Sequence, residues 1–123
     1  MSLEEVNCMN ESILDTIKKM LGIDSSYDAF DTDIIVNINA AFMNLYQLGV
    51  GSKEGFMIKG SEETWDLFLP PSYPAINGVK NYIYLKTRLG FDPPTSSFVM
   101  ESMKNTIAEL EWRLNVDQDE GGV

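Results

Sequence analysis

The corner Gly90–Pro94 constrains the fold more than any other stretch, because it interrupts two long helical patterns between Ala75 and Asn115. Proline lacks an amide hydrogen and biases the residue before it away from the helical region, so a helix must end here. Asp92, Thr95 or Ser96 can cap the helix that follows. We therefore predict a long helix pair whose members are antiparallel or sharply crossed neighbours.

One half of the first helix of this pair is apolar at 100° per residue. Its members are Ile76, Val79, Tyr82, Ile83, Leu85 and Leu89. Lys86 falls inside this apolar half, which the pattern does not predict. Either its methylene stem packs while the amine reaches solvent or a carboxylate, or the charge lies at a subunit contact.

The second helix of the pair has two faces of different character. Its apolar stripe consists of Val99, Met100, Met103, Ile107, Leu110 and Leu114, and we assign this stripe, with Leu110 at its middle, to the core. Phe98 and Trp112 lie on the opposite side, together with Glu101, Asn105 and Glu109. Two large aromatics on an outward face indicate a partner surface, although loops of the same chain could also cover them.

Two further helices are predicted in the N-terminal half. Asn10–Ser12 opens the first and Gly22 ends it, with Lys18 and Lys19 placed favourably for the helix dipole. Its apolar face consists of Ile13, Leu14, Ile17 and Leu21. Asp31 or Thr32 is expected to cap the second helix, which runs to about Leu48. Its core stripe consists of Ile34, Ile35, Ile38, Ala41, Phe42, Leu45 and Leu48.

The other face of the second helix carries amides and no charge. Asn37, Asn39, Asn44 and Gln47 lie there, and no charged residue occurs from position 34 to position 52. A helix face exposed to water usually carries Lys and Glu, so this composition is more typical of a protein contact. Polar contacts within the monomer are the alternative. Our candidate interface residues are Asn37, Asn44, Gln47, Lys86, Phe98, Glu101 and Trp112.

Between the helical halves the pattern predicts a short extended segment at Phe56–Ile58 and a brief helix capped by Ser61. That helix carries Trp65, Leu67, Phe68 and Leu69, which are expected to cover the core. The fold class predicted is therefore all-α, with about four helices, the C-terminal pair and one extended segment. We expect a single domain over residues 1–123, with residues 1–9 and 116–123 flexible.

Composition limits the possible functions. The chain of 123 residues has no apolar run that could span a membrane, and Glu4 and Glu5 stand where a signal peptide would be basic. The single Cys8 fits a reducing compartment. The formal charge of −10, from 19 acidic and 9 basic residues, argues against binding to nucleic acid.

No pattern supports catalysis. The chain has no histidine, which excludes histidine triads and histidine metal sites, and Cys8 has no imidazole partner. Acid pairs such as Asp31 with Asp33 are explained by a helix N-terminus or a solvated face. We expect no catalytic residue, no cofactor and no metal.

The stretches FDTDIIVNINAAFMNLYQLGVG (Phe30–Gly51) and VKNYIYLKTRLGFDPPTSS (Val79–Ser97), with Phe56 and Trp65 between them, resemble one known family. They are similar to the head–tail connector proteins of long-tailed bacteriophages, also called adaptor or DNA-packaging proteins. The resemblance spans about residues 10–115, and Lys86–Thr95 is its most specific part. That family has no catalytic motif to compare.

The resemblance implies a helical virion subunit of a phage or prophage, assembled in the bacterial cytoplasm and placed at the head–tail junction. It implies a homo-oligomeric ring of about a dozen copies, which docks beneath the portal protein and receives the tail-side completion protein. DNA would pass through without specific binding. The alternative is a small acidic interaction protein or inhibitor, a DNA mimic that occupies a nucleic-acid-binding enzyme. Its acids should then form one stripe, whereas here they are interleaved with lysines.

Overall fold

The computed structural model describes residues 10–121, and side chains as far as Val116. Five helices lie within that part of the chain. They are α1 (Ile13–Met20), α2 (Asp31–Gln47), α3 (Trp65–Phe68), α4 (Ile76–Phe91) and α5 (Ser97–Gly121). Residues 10–121 contain no strand, only one isolated antiparallel bridge between Ser12 and Thr64. The prediction of an all-α fold is confirmed.

Helix α4 is central, because it packs against α1, α2 and α5. The pair α4 and α5 is antiparallel. The chain turns directly from Phe91 to Ser97, whereas the opening turn of α4 meets the later part of α5, where Gly78 faces Leu110. The predicted corner and the predicted helix pair are thus both present.

The core is one cluster to which all five helices contribute side chains. It consists of Ile13, Leu14, Ile17, Ile34, Ile38, Ala41, Phe42, Leu45, Val50, Ile58, Trp65, Phe68, Leu69, Val79, Tyr82, Ile83, Leu85, Ile107 and Leu114. Leu110 is half-buried and packs against this cluster. Val99 is exposed, so its assignment to the core stripe was wrong. Helix α5 has only just begun at that position, next to the corner.

The helix caps were predicted with mixed success. Ser12 caps α1 by accepting a hydrogen bond from the Asp15 amide, at 3.2 Å. Ser96 begins α5, since its carbonyl accepts from the Met100 amide at 3.0 Å. Helix α2 instead has Phe30 at its N-cap position, without a side-chain cap. Helix α3 likewise has Thr64 there, so Ser61 is not its cap.

Phe30 fits the α2 N-cap position because its ring packs edge-on against Phe91, with ring centroids 5.4 Å apart. Asp31 falls in the first turn of α2, where its carboxylate pairs with Lys18 at 2.8 Å. Apolar packing and an ion pair therefore fix this helix start, in place of the expected cap hydrogen bond.

Lys18 differs most from the sequence-based expectation. Its side chain is 1% exposed. Its Nζ donates hydrogen bonds to the carbonyls of Ser25 at 3.1 Å and Tyr27 at 2.7 Å, in addition to the ion pair with Asp31. The ammonium thus closes the connection between α1 and α2, a larger role than the predicted favourable place at a helix end.

The stretch Phe56–Ile58, which was predicted to be extended, forms neither a strand nor a helix. Asn39 of α2 holds it, because its Oδ1 accepts from the Ile58 amide at 2.8 Å and its Nδ2 donates to the Ile58 carbonyl at 3.0 Å. One side chain therefore replaces the partner strand. For Asn39 the alternative of a polar contact within the monomer is correct.

Two further predictions, on the brief helix and on the end of the last helix, were only partly correct. Leu67 of α3 is exposed, while Trp65, Phe68 and Leu69 cover the core as predicted. Helix α5 continues to Gly121, so the predicted end near Asn115 was wrong. Flexibility of residues 116–123 stays a prediction, and residues 1–9, 122 and 123 lie outside the described part of the chain.

Candidate interaction surfaces

A groove of about 460 Å³ runs between α2 and α4. Its lining consists of Asn37, Ala40, Ala41, Met43, Asn44, Gln47, Lys86, Leu89 and Gly90. Four of the seven predicted interface residues therefore meet in one place, although Lys86 is about forty residues from the others in sequence. We call this feature the α2–α4 groove.

Gly90 sets how closely the two walls of the α2–α4 groove approach. A Cβ atom at position 90 would collide with the amide oxygen of Asn37. The Asn37 amide is held from the other side, because its Nδ2 donates to the Asp33 carbonyl at 2.9 Å. Glycine therefore lets the end of α4 lie directly against the amide side chain of α2.

The charge of the α2–α4 groove is positive. Lys86 is half-buried in its wall, and none of the described residues that line the groove is acidic. Among the described residues, no carboxylate lies within ion-pair distance of Lys86. A groove lined by one cation and, among the described residues, by no acid contrasts with the formal charge of −10 of the whole chain.

Tyr82 supports the α2–α4 groove from beneath. It is fully buried, and its hydroxyl donates to Oε2 of Glu111 on α5 at 2.7 Å. The Tyr82 side chain also hydrogen-bonds the Asn44 amide. Burial raises the pKa of Tyr82 above the ordinary value, and the bond to Glu111 raises it further. One phenol thereby joins α2, α4 and α5.

The outward face of α5 is a second surface, on the side of the helix away from the core. Phe98 is 82% exposed and Trp112 is 67% exposed, so no loop of the described chain covers either ring. Glu101 and Glu109 are exposed on the same side. Glu109 pairs with Arg113 at 2.6 Å, whereas Glu101 has no ion-pair partner among the described residues. We call Phe98, Glu101, Asn105, Glu109 and Trp112 the α5 outer face.

The seven predicted residues therefore form two sets, on two different surfaces.

The chain as a whole matches a family model described as phage connector protein, over residues 13–121. The chain belongs to the phage connector protein family. The match extends from the first residue of α1 to the last residue of α5. No significant match to this connector chain is found among curated proteins or among solved structures.

The connector also exposes apolar residues on α2 that sequence reasoning missed. Val36 is 63% exposed and Met43 is 62% exposed, and Tyr46 is exposed beside them. Val36 and Met43 are seven residues apart, so they share one line along the helix. The sequence contained this signal, because Val36 and Met43 lie outside the predicted core stripe of α2 and therefore point away from the core.

A second depression of about 410 Å³ lies on the other flank of α2. Its lining consists of Asn39, Phe42, Met43, Tyr46, Glu54, Gly55, Phe56 and Met57. Helix α2 is thus a ridge between two depressions. The second depression contains an acid, Glu54, where the α2–α4 groove contains a cation.

Two kinds of site are absent from the described part of the connector. No group of three or more His, Cys, Asp or Glu residues within it could hold a metal ion. None of its helices combines the length and the apolar character needed to cross a membrane.

Proposed function

We propose that this chain is the ring-forming subunit of a phage or prophage head–tail connector. Copies of it, about a dozen in number, form a ring that joins the portal protein of the capsid to the tail-side proteins. Membership of the phage connector protein family supports this role. It has no catalytic step, and its location is the head–tail junction of the virion after assembly in the bacterial cytoplasm.

The observation that carries this proposal is the number of interaction surfaces on so small a domain. A ring subunit needs two contacts with its neighbours and further contacts above and below the ring. The α2 ridge with its two depressions and the α5 outer face supply exposed amide, apolar and aromatic residues on separate surfaces. Exposed surface of this kind is typical of protein contacts.

The charge suits passage of DNA rather than binding. Binding to the phosphate backbone requires clustered cations, and this chain carries 9 bases against 19 acids. A channel lined by such subunits would repel the moving duplex and would not retain it. We expect purified protein to leave duplex DNA unshifted in a gel at physiological salt.

The test is deletion of the gene in the phage or prophage that encodes it. We expect filled heads and free tails that fail to join, with infectivity restored by the wild-type gene supplied from a plasmid. Electron micrographs of restored particles should show the protein at the head–tail junction by antibody or tag labelling. Tailed, infectious particles from the deletion strain would contradict the proposal. Binding to a nucleic-acid-binding enzyme instead of to particles is the result expected of the acidic inhibitor.

A further inference from the structure

We propose that the α2–α4 groove binds the α5 outer face of a second copy of this chain, in a head-to-tail contact in which Lys86 meets Glu101. This inference rests on the proposed ring function and names the surfaces that would build the ring. The occupant is a second copy, and the argument comes from charge, shape and symmetry.

Charge limits how two copies can meet. Each copy carries −10, so most pairs of surfaces would place acids against acids. The described residues that line the α2–α4 groove include Lys86 and no acid, and the α2 wall of the groove carries no charge from position 34 onward. An acidic face of an identical chain can approach this groove without repulsion. Glu101 offers the carboxylate, since it has no ion-pair partner among the described residues of its own chain.

The shapes of the two surfaces also agree. Phe98, Glu101 and Asn105 are spaced three and four residues apart, so they form one ridge along α5. The groove is walled by two helices, with the small residues Ala40 and Ala41 in its lining. A Phe98 ring that enters beside these alanines places Glu101, one turn further along α5, within reach of a long lysine side chain. The exposed amide of Gln47 is available to pair with Asn105.

Charge disfavours a two-fold dimer in which the groove of one copy packs against the groove of the other. That interface would contain two Lys86 ammonium groups and, among the described lining residues, no carboxylate to pair with either. A contact between the groove of one copy and α5 of the next is heterologous, and such contacts close into rings when the rotation permits. The core side of α5 is already occupied in its own chain by Ile107 and Leu114, so the outer face remains available.

The second depression on α2 is a weaker acceptor for the same ridge. Glu54 lines it, so an incoming Glu101 would meet a like charge. The α2–α4 groove is therefore the better complement to the α5 outer face.

The experiment uses two charge reversals, Lys86→Glu and Glu101→Lys, in the full chain. Sedimentation velocity and native mass spectrometry are run from micromolar to millimolar concentration. We expect the wild type to form species larger than a monomer as concentration rises. Each variant alone should associate on the order of tenfold more weakly or worse, because like charges then face each other at every contact.

An equimolar mixture of the two variants is the decisive sample. In it, the intact groove of Glu101→Lys meets the intact α5 face of Lys86→Glu, and the two altered surfaces also form an opposite-charge pair. We therefore expect the mixture to associate as well as the wild type. Lys59→Glu makes the same charge change at an exposed position outside the groove, and it should behave as the wild type. Unchanged melting temperatures confirm that all variants fold.

Three results would overturn the inference. The first is association of the single variants at the wild-type level. The second is a mixture no better than its components, which would show that Lys86 and Glu101 do not face each other. The third is a wild-type chain that stays monomeric at millimolar concentration. None of them bears on the gene deletion, so failure of this contact and failure of the connector role are distinguishable.

Discussion

Two lysines in interhelical positions have opposite surroundings. Lys18, between α1 and α2, is surrounded by two backbone carbonyls and the Asp31 carboxylate, and it is buried. Lys86, between α2 and α4, is half-buried in a groove whose described lining consists otherwise of amides and apolar residues, without an acid. The first lysine has all its partners within its own chain. The second, Lys86, has no ion-pair partner among the described residues.

The same contrast appears among the amides of α2. Asn39 gives both of its hydrogen-bonding groups to the backbone of Ile58. Gln47 is exposed, three turns along the α2–α4 groove from Asn37. A polar residue with its partners inside the chain holds the fold, while one without them is available to another molecule. The following predictions test that division, beginning with the largest effect.

Lys18→Met should be the most damaging change. Removing one partner of a buried ion pair leaves the Asp31 carboxylate and two carbonyls without their donor, which costs about 3–5 kcal/mol of unfolding free energy. Lys19→Met is the matched control, because Lys19 is the exposed neighbour and should change stability by no more than about 0.5 kcal/mol. Urea denaturation measures both. Equal effects at the two positions would end the claim that Lys18 holds the α1–α2 connection.

Leu114→Ala should come next, at about 2–5 kcal/mol, because Leu114 is buried and its truncation leaves a cavity. Trp112→Ala removes a larger side chain from the α5 outer face. It should nevertheless change monomer stability by less than about 1 kcal/mol. Thermal melts of the two variants compare the two sides of one helix. If Trp112→Ala unfolds the chain as easily as Leu114→Ala, its exposed ring is not available to a partner.

Asn39→Ala should cost about 1–3 kcal/mol for each Ile58 backbone group left unpaired in a partly buried site. Gln47→Ala, on the same helix, should be close to neutral. Hydrogen exchange of the Ile58 amide gives a local measure, and its protection should fall in the Asn39 variant only. Retained protection would show that the extended segment is held by other contacts.

Tyr82→Phe should cost about 1 kcal/mol at neutral pH through loss of the hydroxyl's hydrogen bonds. The effect should depend on pH. Because the folded chain raises the pKa of Tyr82 above its ordinary 10.0, the contribution of the neutral phenol is complete below pH 10 and falls as the pH rises further. The stability difference between wild type and Tyr82→Phe, measured by denaturation from neutral pH to above pH 10, should therefore shrink. A constant difference would contradict the raised pKa.

Lys86→Met should have the smallest effect on the monomer, within about 0.5 kcal/mol, because no carboxylate or carbonyl among the described residues pairs with its ammonium. Differential scanning calorimetry is the measurement. A loss comparable to that of Lys18→Met would remove the distinction between the two lysines.

Sequence reasoning succeeded where local periodicity carries the information. It located the helices, the corner after Gly90, most of the core stripe of α2 and the outward direction of Phe98 and Trp112. It placed Lys86 in an apolar half and left its role open, and the structure adds the groove around it.

The remainder depended on contacts between distant segments. The carbonyls that bind Lys18 belong to an irregular connection whose path no periodic pattern specifies. The pairing of Asn39 with Ile58 joins residues 19 positions apart through one amide. The extent of α5 depended on a tail whose acidic composition favours solvent exposure but does not prevent a helix.

The close approach at Gly90 has a consequence for how this chain can change during evolution. Any side chain at position 90 must enter the space of the Asn37 amide, so the two positions share one small volume. A larger residue at 90 requires either that the Asn37 side chain rotates away or that position 37 becomes smaller. Among connector chains that keep this helix crossing, we therefore expect positions 37 and 90 to vary together. The double variant Gly90→Ala with Asn37→Ala should therefore recover the wild-type melting temperature that Gly90→Ala alone loses.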